Sequence, residues 1–72
     1  MNVLYVVRDH EKCVATTGWR LKAISESKRA AKYCKVASVT QLRKDGDGNT
    51  YRSVERVYPD GRTETIQEEE RI

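Results

Sequence analysis

The chain has 72 residues, which is enough for one domain with a thin hydrophobic core. Charged residues make up 35% of it and the mean hydropathy is −0.80, but the apolar residues cluster in strand-like runs, so we expect a folded protein. Two isolated cysteines, Cys13 and Cys34, exclude a disulfide scaffold, and with one histidine they cannot supply a structural zinc site. Since no signal peptide or long apolar run is recognisable, we expect a reduced chain in the cytoplasm, without a cofactor and away from membranes.

Basic and acidic residues are unevenly distributed along the chain. Residues 1–44 carry ten Lys and Arg against three Asp and Glu, a balance of +7, whereas residues 45–72 carry four against eight, a balance of −4. This asymmetry predicts a cationic patch for a polyanion or an acidic protein, while an evenly mixed, solvated surface is the alternative.

The first predicted strand is Val3–Val7, a β-branched and aromatic run that is apolar on both alternations. That pattern suits a central strand with both faces at least partly covered. Arg8–Lys12 is polar, and His10 within it is expected to lie in a loop. Cys13–Thr17 is compatible with a loop or with an irregular continuation of strand structure.

The segment Trp19–Ile24 alternates apolar and basic residues and predicts a second strand. In that strand Trp19, Leu21 and Ala23 point into the core, and Trp19→Ala should unfold the domain. Arg20 and Lys22 point outward.

The segment Ser25–Ala37 is the one clear amphipathic helix, with Ser25 as the predicted N-cap and Glu26 in the first turn. Small residues share one side and predict close packing on a sheet: Ser27, Ala30, Ala31, Cys34 and Ala37. The opposite side carries a basic ridge: Lys28, Lys32 and Lys35, flanked by Arg29.

A hairpin is predicted after the helix, with strands Ser38–Lys44 and Thr50–Tyr58 joined by a turn at Asp45–Asn49. The acidic turn also invites a calcium-loop interpretation. That interpretation is disfavoured because Thr50 and Arg56 occupy the positions that need glycine and a bidentate glutamate.

The turn Pro59–Gly61 predicts a second hairpin with a thin, charged edge strand at Arg62–Ile66. Residues 68–72 predict an acidic, solvated tail, which leaves residues 1–67 as a single domain. We therefore expect an α+β fold, in which one antiparallel sheet of about five strands carries one helix on one face in the order β-β-α-β-β-β.

Catalytic chemistry is not indicated by the sequence. Asp9 beside His10 is one dyad candidate, but neighbouring strand residues point to opposite faces, so we expect no enzymatic activity. A second basic patch is predicted from Arg20 and Lys22 together with Arg52 and Arg56, on the open side of the sheet. The alternative for each basic patch is a solvated surface.

The runs Leu4–Arg8 and Trp19–Lys32 contain a strand, a polar loop and a Lys-Arg-Ala-Ala helix. In this arrangement the chain resembles small phage and mobile-element proteins, and among these it is similar to some type I-F anti-CRISPR proteins. The resemblance covers roughly residues 4–35 and the strand order after the helix. The acidic turn at Asp45–Asp47 and the acidic tail depart from the pattern.

The resemblance implies a non-enzymatic inhibitor that binds Cas proteins of a surveillance complex and competes for surfaces that hold nucleic acid or another subunit. The matching positions are Lys28, Arg29 and Lys32, and the wider basic surface adds Lys35, Arg20 and Lys22 as expected partner-binding residues. A direct DNA- or RNA-binding accessory protein is the alternative. The protein is expected to be a monomer or a small homo-oligomer.

Overall fold

The computed structural model describes residues 2–9 and 12–72, so His10 lies outside the described residues. Five strands and one helix follow one another in the predicted order β-β-α-β-β-β, which confirms the α+β fold class. The elements are β1 Asn2–Asp9, β2 Lys12–Thr17, α1 Arg20–Cys34, β3 Ala37–Lys44, β4 Thr50–Val57 and β5 Thr63–Arg71.

The five strands form one antiparallel sheet in the order β2-β1-β3-β4-β5. β1 lies between β2 and β3, where Val7 pairs with both Ala15 and Val39. Its continuous apolar run suits this inner position, as predicted. After β2 the chain crosses one face of the sheet as α1 and returns as β3 beside β1.

The predicted strand at Trp19–Ile24 is wrong, because α1 begins at Arg20. Ala23, Ser27 and Ala31 are spaced by four residues and are all buried, so the row of small residues continues one turn before the predicted start. Ser25, the predicted N-cap, is exposed within the helix. The second strand is β2, in the segment for which the sequence allowed either a loop or an irregular strand.

The helix also ends earlier than predicted. It stops at Cys34, and Lys35 takes a left-handed conformation with φ 72°. Ala37 is therefore not part of the helix but opens β3, where it is buried.

The core between α1 and the sheet is thin, as the length predicts. Its buried side chains are small apart from one tyrosine: Tyr5, Val7, Ala23, Val39 and Val57. The prediction that Trp19 belongs to this core is wrong, since 76% of its surface is exposed. Small residues on α1 let the helix axis approach the sheet closely, and an indole does not fit into that space.

Both predicted turns are present. In the first, the Asp45 carboxylate accepts hydrogen bonds from the backbone N–H groups of Asp47 (2.9 Å) and Asn49 (3.0 Å) and from the Tyr51 hydroxyl (3.2 Å). Asp45 thus closes its own turn, which further disfavours the calcium interpretation. In the second turn Gly61 has φ 92° and donates its N–H to the Tyr58 carbonyl at 2.9 Å.

The tail predicted at residues 68–72 is instead the end of the edge strand β5. Glu70 pairs with Arg52 and Arg71 pairs with Tyr51 across the β4–β5 ladder, with register shifts near the middle of β5. Strand structure and solvation are compatible here because the glutamate side chains of an edge strand remain exposed while its backbone pairs.

Candidate binding surface

The solvent side of α1 and the residue that follows it carry five exposed cations. We call them the α1 cationic surface: Lys22, Lys28, Arg29, Lys32 and Lys35. They face solvent because the row of small residues takes the side of the helix that contacts the sheet. With a rise of about 1.5 Å per residue, the surface extends for roughly 20 Å along the helix axis.

Little negative charge offsets these cations. The sequence of α1 contains one acidic residue, Glu26, which is half-buried and lies 4.0 Å from the Arg29 guanidinium. At this distance the ion pair is weak and leaves Arg29 available to a partner. The electrostatic potential of the α1 cationic surface is therefore positive along its length, as the sequence predicted for Lys28, Arg29, Lys32 and Lys35.

Large apolar side chains lie among the cations. Leu21 is 87% exposed and Tyr33 is 85% exposed, while the exposed Trp19 stands at the start of the helix. The sequence analysis missed Leu21 because it assigned that residue to the inner face of a strand. If the helical period is continued back to Arg20, Leu21 lies on a different side of the helix from the buried Ala23 and Ser27. This periodicity could have revealed that Leu21 is exposed.

Arg20 differs from the other predicted partner-binding residues. Its guanidinium donates two hydrogen bonds to the Glu55 carboxylate, at 2.8 and 3.1 Å. The hydrogen bond to Glu55 raises the pKa of Arg20 above its ordinary value, against the opposing effect of partial burial. Arg20 thus belongs to the contact between α1 and β4.

The second basic patch predicted from Arg20, Lys22, Arg52 and Arg56 does not form. Alternate residues of β4 point to opposite faces, and Glu55 and Val57 point toward α1. Arg52 and Arg56 consequently lie on the face away from the helix. The prediction is wrong because residues 20–24 are helical, which moves Arg20 and Lys22 to the other side of the sheet.

The Cys34 thiol is not prepared for nucleophilic chemistry. A hydrogen bond with Asp9, together with partial desolvation, raises the pKa of the Cys34 thiol and so disfavours the reactive thiolate. Cys13 is exposed at the edge strand β2. Within the described part of the chain, no three His, Cys, Asp or Glu side chains gather into a group that could hold a metal ion.

Two further observations bear on the class of protein. No helix among residues 2–9 and 12–72 is long and apolar enough to cross a membrane. Comparisons with protein-family models, curated proteins and solved structures each find no match.

Proposed function

We propose that this protein is a non-enzymatic inhibitor of phage type that acts in the cytoplasm of a bacterial host. It docks through the α1 cationic surface onto a Cas protein of a CRISPR–Cas surveillance complex and blocks nucleic-acid binding. The observation that carries a binding function is the α1 cationic surface, in which four exposed cations of the helix and Lys35 after it stand beside the exposed Leu21 and Tyr33. The resemblance of residues 4–35 to type I-F anti-CRISPR proteins supports the choice of a Cas protein as the target.

The mixture of side chains favours a protein target over bare nucleic acid. Tyrosine, tryptophan and arginine are enriched at the centres of protein interfaces, where apolar contact supplies most of the affinity and charges guide the approach. Leu21 offers nothing to a phosphate backbone, whereas an apolar site on a protein would cover it together with the exposed Trp19 or Tyr33. A surface that normally holds nucleic acid is lined by cations, so the target site is a neighbouring acidic or mixed surface from which this protein obstructs the nucleic-acid channel.

Direct nucleic-acid binding is the second candidate, and a specific observation supports it. Tyr33 and Trp19 are exposed aromatic rings at the two ends of the row of cations. Bases of a single strand could stack on these rings while the cations contact phosphates. Affinity for a nucleic acid alone would then fall steeply with rising salt.

Affinity capture from a bacterial lysate that contains a type I-F system distinguishes these candidates. The tagged wild-type chain is compared with Lys28→Glu/Lys32→Glu and with Lys44→Glu/Arg71→Glu, each with and without nuclease. The second variant makes the same change in net charge at exposed residues near the β3–β4 turn. Mass spectrometry identifies what is captured.

The inhibitor proposal predicts that wild type and the Lys44/Arg71 variant retain Cas subunits after nuclease treatment and that the Lys28/Lys32 variant loses them. With purified surveillance complex, the wild-type chain should then abolish target-DNA binding in a gel-shift assay at stoichiometric amounts. Capture that disappears with nuclease would instead establish the nucleic-acid-binding candidate. Equal capture by all three chains would contradict a role for the α1 cationic surface.

A further inference from the structure

The face of the sheet away from α1 has no covering element in the described structure. Its strands present an apolar floor there, which lines a shallow depression of about 460 Å³. The depression is lined by the apolar side chains of Val6, Leu42, Val54 and Ile72 together with the polar Thr40 and Gln67, and the exposed Arg8 and Arg52 stand at its rim. The chain exposes 5025 Å², about a tenth more than the roughly 4,600 Å² expected for a compact monomer of 8.3 kDa.

The two arginines at the rim have no ion-pair partner in the described part of the chain. Glu70 lies opposite Arg52 across the β4–β5 ladder, but its carboxylate accepts a hydrogen bond from the Gln67 amide at 3.2 Å. On the same face Arg56 contacts Glu64 at 3.5 Å. The guanidinium groups of Arg8 and Arg52 therefore remain available as charged hydrogen-bond donors beside an apolar surface. A ligand that is both apolar and anionic would match this combination.

A second copy of the chain does not fit this requirement. A two-fold axis parallel to the strands and centred over β3 would place β1 of one copy over β4 of the other and bring Arg8 opposite Arg56. A two-fold axis across the strands, level with Thr40 and Val54, would place each strand over its equivalent and bring Arg52 opposite Arg56. Like charges would meet in both arrangements, which disfavours a face-to-face dimer.

A nucleic acid fits no better, because the described residues that line the depression include no aromatic ring on which a base could stack. A helix does fit the geometry. Arg8 and Arg52 are two strands and four residues apart, which corresponds to roughly 16 Å between their Cα atoms. An α-helix rises by this distance over about 11 residues. Two residues about 11 positions apart lie on the same side of the helix, because they are separated by about three full turns.

We infer that the open sheet face binds an acidic amphipathic helix of a protein partner. Two carboxylates about 11 residues apart would contact Arg8 and Arg52, and apolar residues between them would cover Val6, Leu42 and Val54. This surface lies on the opposite side of the sheet from α1 and is independent of the proposed inhibitor function. The protein would then join two partners.

A designed peptide tests the inference. The probe is a fluorescein-labelled, alanine-based helix of about 18 residues with two central leucines one turn apart and glutamates about 11 residues apart on the same side. One control peptide has lysines in place of the glutamates, and another has the leucines moved to the opposite side. Binding is followed by fluorescence anisotropy with wild type, Arg8→Glu/Arg52→Glu and, as the matched control, Lys28→Glu/Lys32→Glu.

The acidic peptide should bind wild type and the Lys28/Lys32 variant with equal affinity and lose about tenfold or more with the Arg8/Arg52 variant. The lysine peptide should bind only the Arg8/Arg52 variant, which also establishes that this variant is folded. In wild type, the methyl resonances of Val6, Leu42 and Val54 should shift on addition of the acidic peptide, while those of the core residue Val39 should not.

Several results would overturn the inference. These are no binding of the acidic peptide to wild type, equal binding of the peptide with displaced leucines, or an equal loss of affinity in the Lys28/Lys32 variant. A wild-type dimer that dissociates in the Arg8/Arg52 variant would also overturn it, because the occupant of the face would then be a second copy.

Discussion

Arg20 and Glu55 join the first turn of α1 to strand β4 through two hydrogen bonds between one guanidinium and one carboxylate. The Arg20 side chain is 47% exposed and that of Glu55 is 19% exposed, so solvent only partly screens the pair. We expect Arg20→Ala to lower the free energy of unfolding by about 1 kcal/mol, because a bidentate pair is stronger than an ordinary surface ion pair. Urea denaturation of wild type and variant measures the difference.

A double-mutant cycle with Glu55→Gln isolates the pair itself. The matched control is the cycle for Arg56 and Glu64, whose single contact is longer, at 3.5 Å, and whose side chains are both more exposed than that of Glu55. The coupling energy should be larger for Arg20 and Glu55. Equal coupling in the two cycles would mean that the pair contributes no more than any surface contact.

Acid should weaken the fold partly through Glu69. Arg43 donates hydrogen bonds to its carboxylate at 2.6 and 3.1 Å, and these hold the pKa of Glu69 below its ordinary value. Because the pKa is lower in the folded state, the stabilisation is complete above the unfolded pKa of about 4.3 and is lost as the pH falls through the lowered folded value. Glu69→Gln should therefore destabilise the protein at neutral pH and have progressively less effect below about pH 4.

Unfolding by urea at a series of pH values measures this dependence. The neighbouring variant Glu68→Gln is the control, since Glu68 is exposed and forms no ion pair with any described residue. Its effect should be small and should change little with pH. A Glu69→Gln effect that stays constant into the acid range would contradict the assignment of the stabilisation to the Arg43 contact.

Strands β1, β3 and β4 and both turns could be predicted from the sequence because their signals are local. Val3–Val7 is apolar on both faces of the strand. The turns that begin at Asp45 and Pro59 are determined by the Asp-Gly and Pro-Asp-Gly residues within them. Lys28, Arg29 and Lys32 could be predicted as a surface because they lie well inside the helical pattern.

The start of the helix could not be predicted in the same way. Trp19–Ile24 alternates apolar and basic residues, which is compatible with a strand, and the helical alternative depends on whether Ala23 contacts the sheet. That contact is tertiary and overrides the local alternation. The open sheet face was equally hidden, because it depends on the pairing of β1 with β3, whose residues are more than 30 positions apart at Val7 and Val39.

The exposure of Trp19 leads to a prediction opposite to the one that the sequence supports. Trp19→Ala should change the free energy of unfolding by less than about 0.5 kcal/mol, because most of the indole is already in contact with water and its removal costs little buried apolar surface. Val39→Ala is the comparison, because Val39 is buried at the centre of the sheet and its loss should cost roughly 1–3 kcal/mol. The fluorescence of Trp19 in wild type should also be quenched readily by acrylamide. Unfolding of Trp19→Ala, or protected fluorescence, would place the indole in the core.

Close packing of α1 on the sheet depends on Ser27. Its side chain is fully buried and donates its hydroxyl to the carbonyls of Ala23 (2.8 Å) and Ile24 (2.9 Å), so its polarity is satisfied within the helix. Ser27→Leu should destabilise the protein by about 1–3 kcal/mol, because the helix must move away from the sheet to admit the larger side chain. Ser25→Leu makes the same replacement at an exposed position two residues earlier and should have little effect on thermal unfolding. Because leucine has a higher helix propensity than serine, a similar loss in Ser25→Leu would mean that the loss in Ser27→Leu does not arise from packing against the sheet.

Lys35 combines a backbone strain with a predicted binding role, and one substitution separates them. Its φ of 72° lies in the left-handed region, which costs a residue with a Cβ about 1–2 kcal/mol but costs glycine nothing. After the greater entropy of the unfolded glycine chain is allowed for, Lys35→Gly should stabilise the protein by roughly 0.5 kcal/mol.

Lys32→Gly is the matched control, since it removes the same charge from an ordinary helical position and should destabilise by about 1 kcal/mol. Both variants remove one cation from the α1 cationic surface, so both should weaken capture of an anionic partner although their effects on stability have opposite sign. Thermal unfolding and the capture assay together therefore test whether binding follows charge or stability. Weaker capture by Lys32→Gly alone would mean that the partner responds to the integrity of the helix and that Lys35 takes no part in binding.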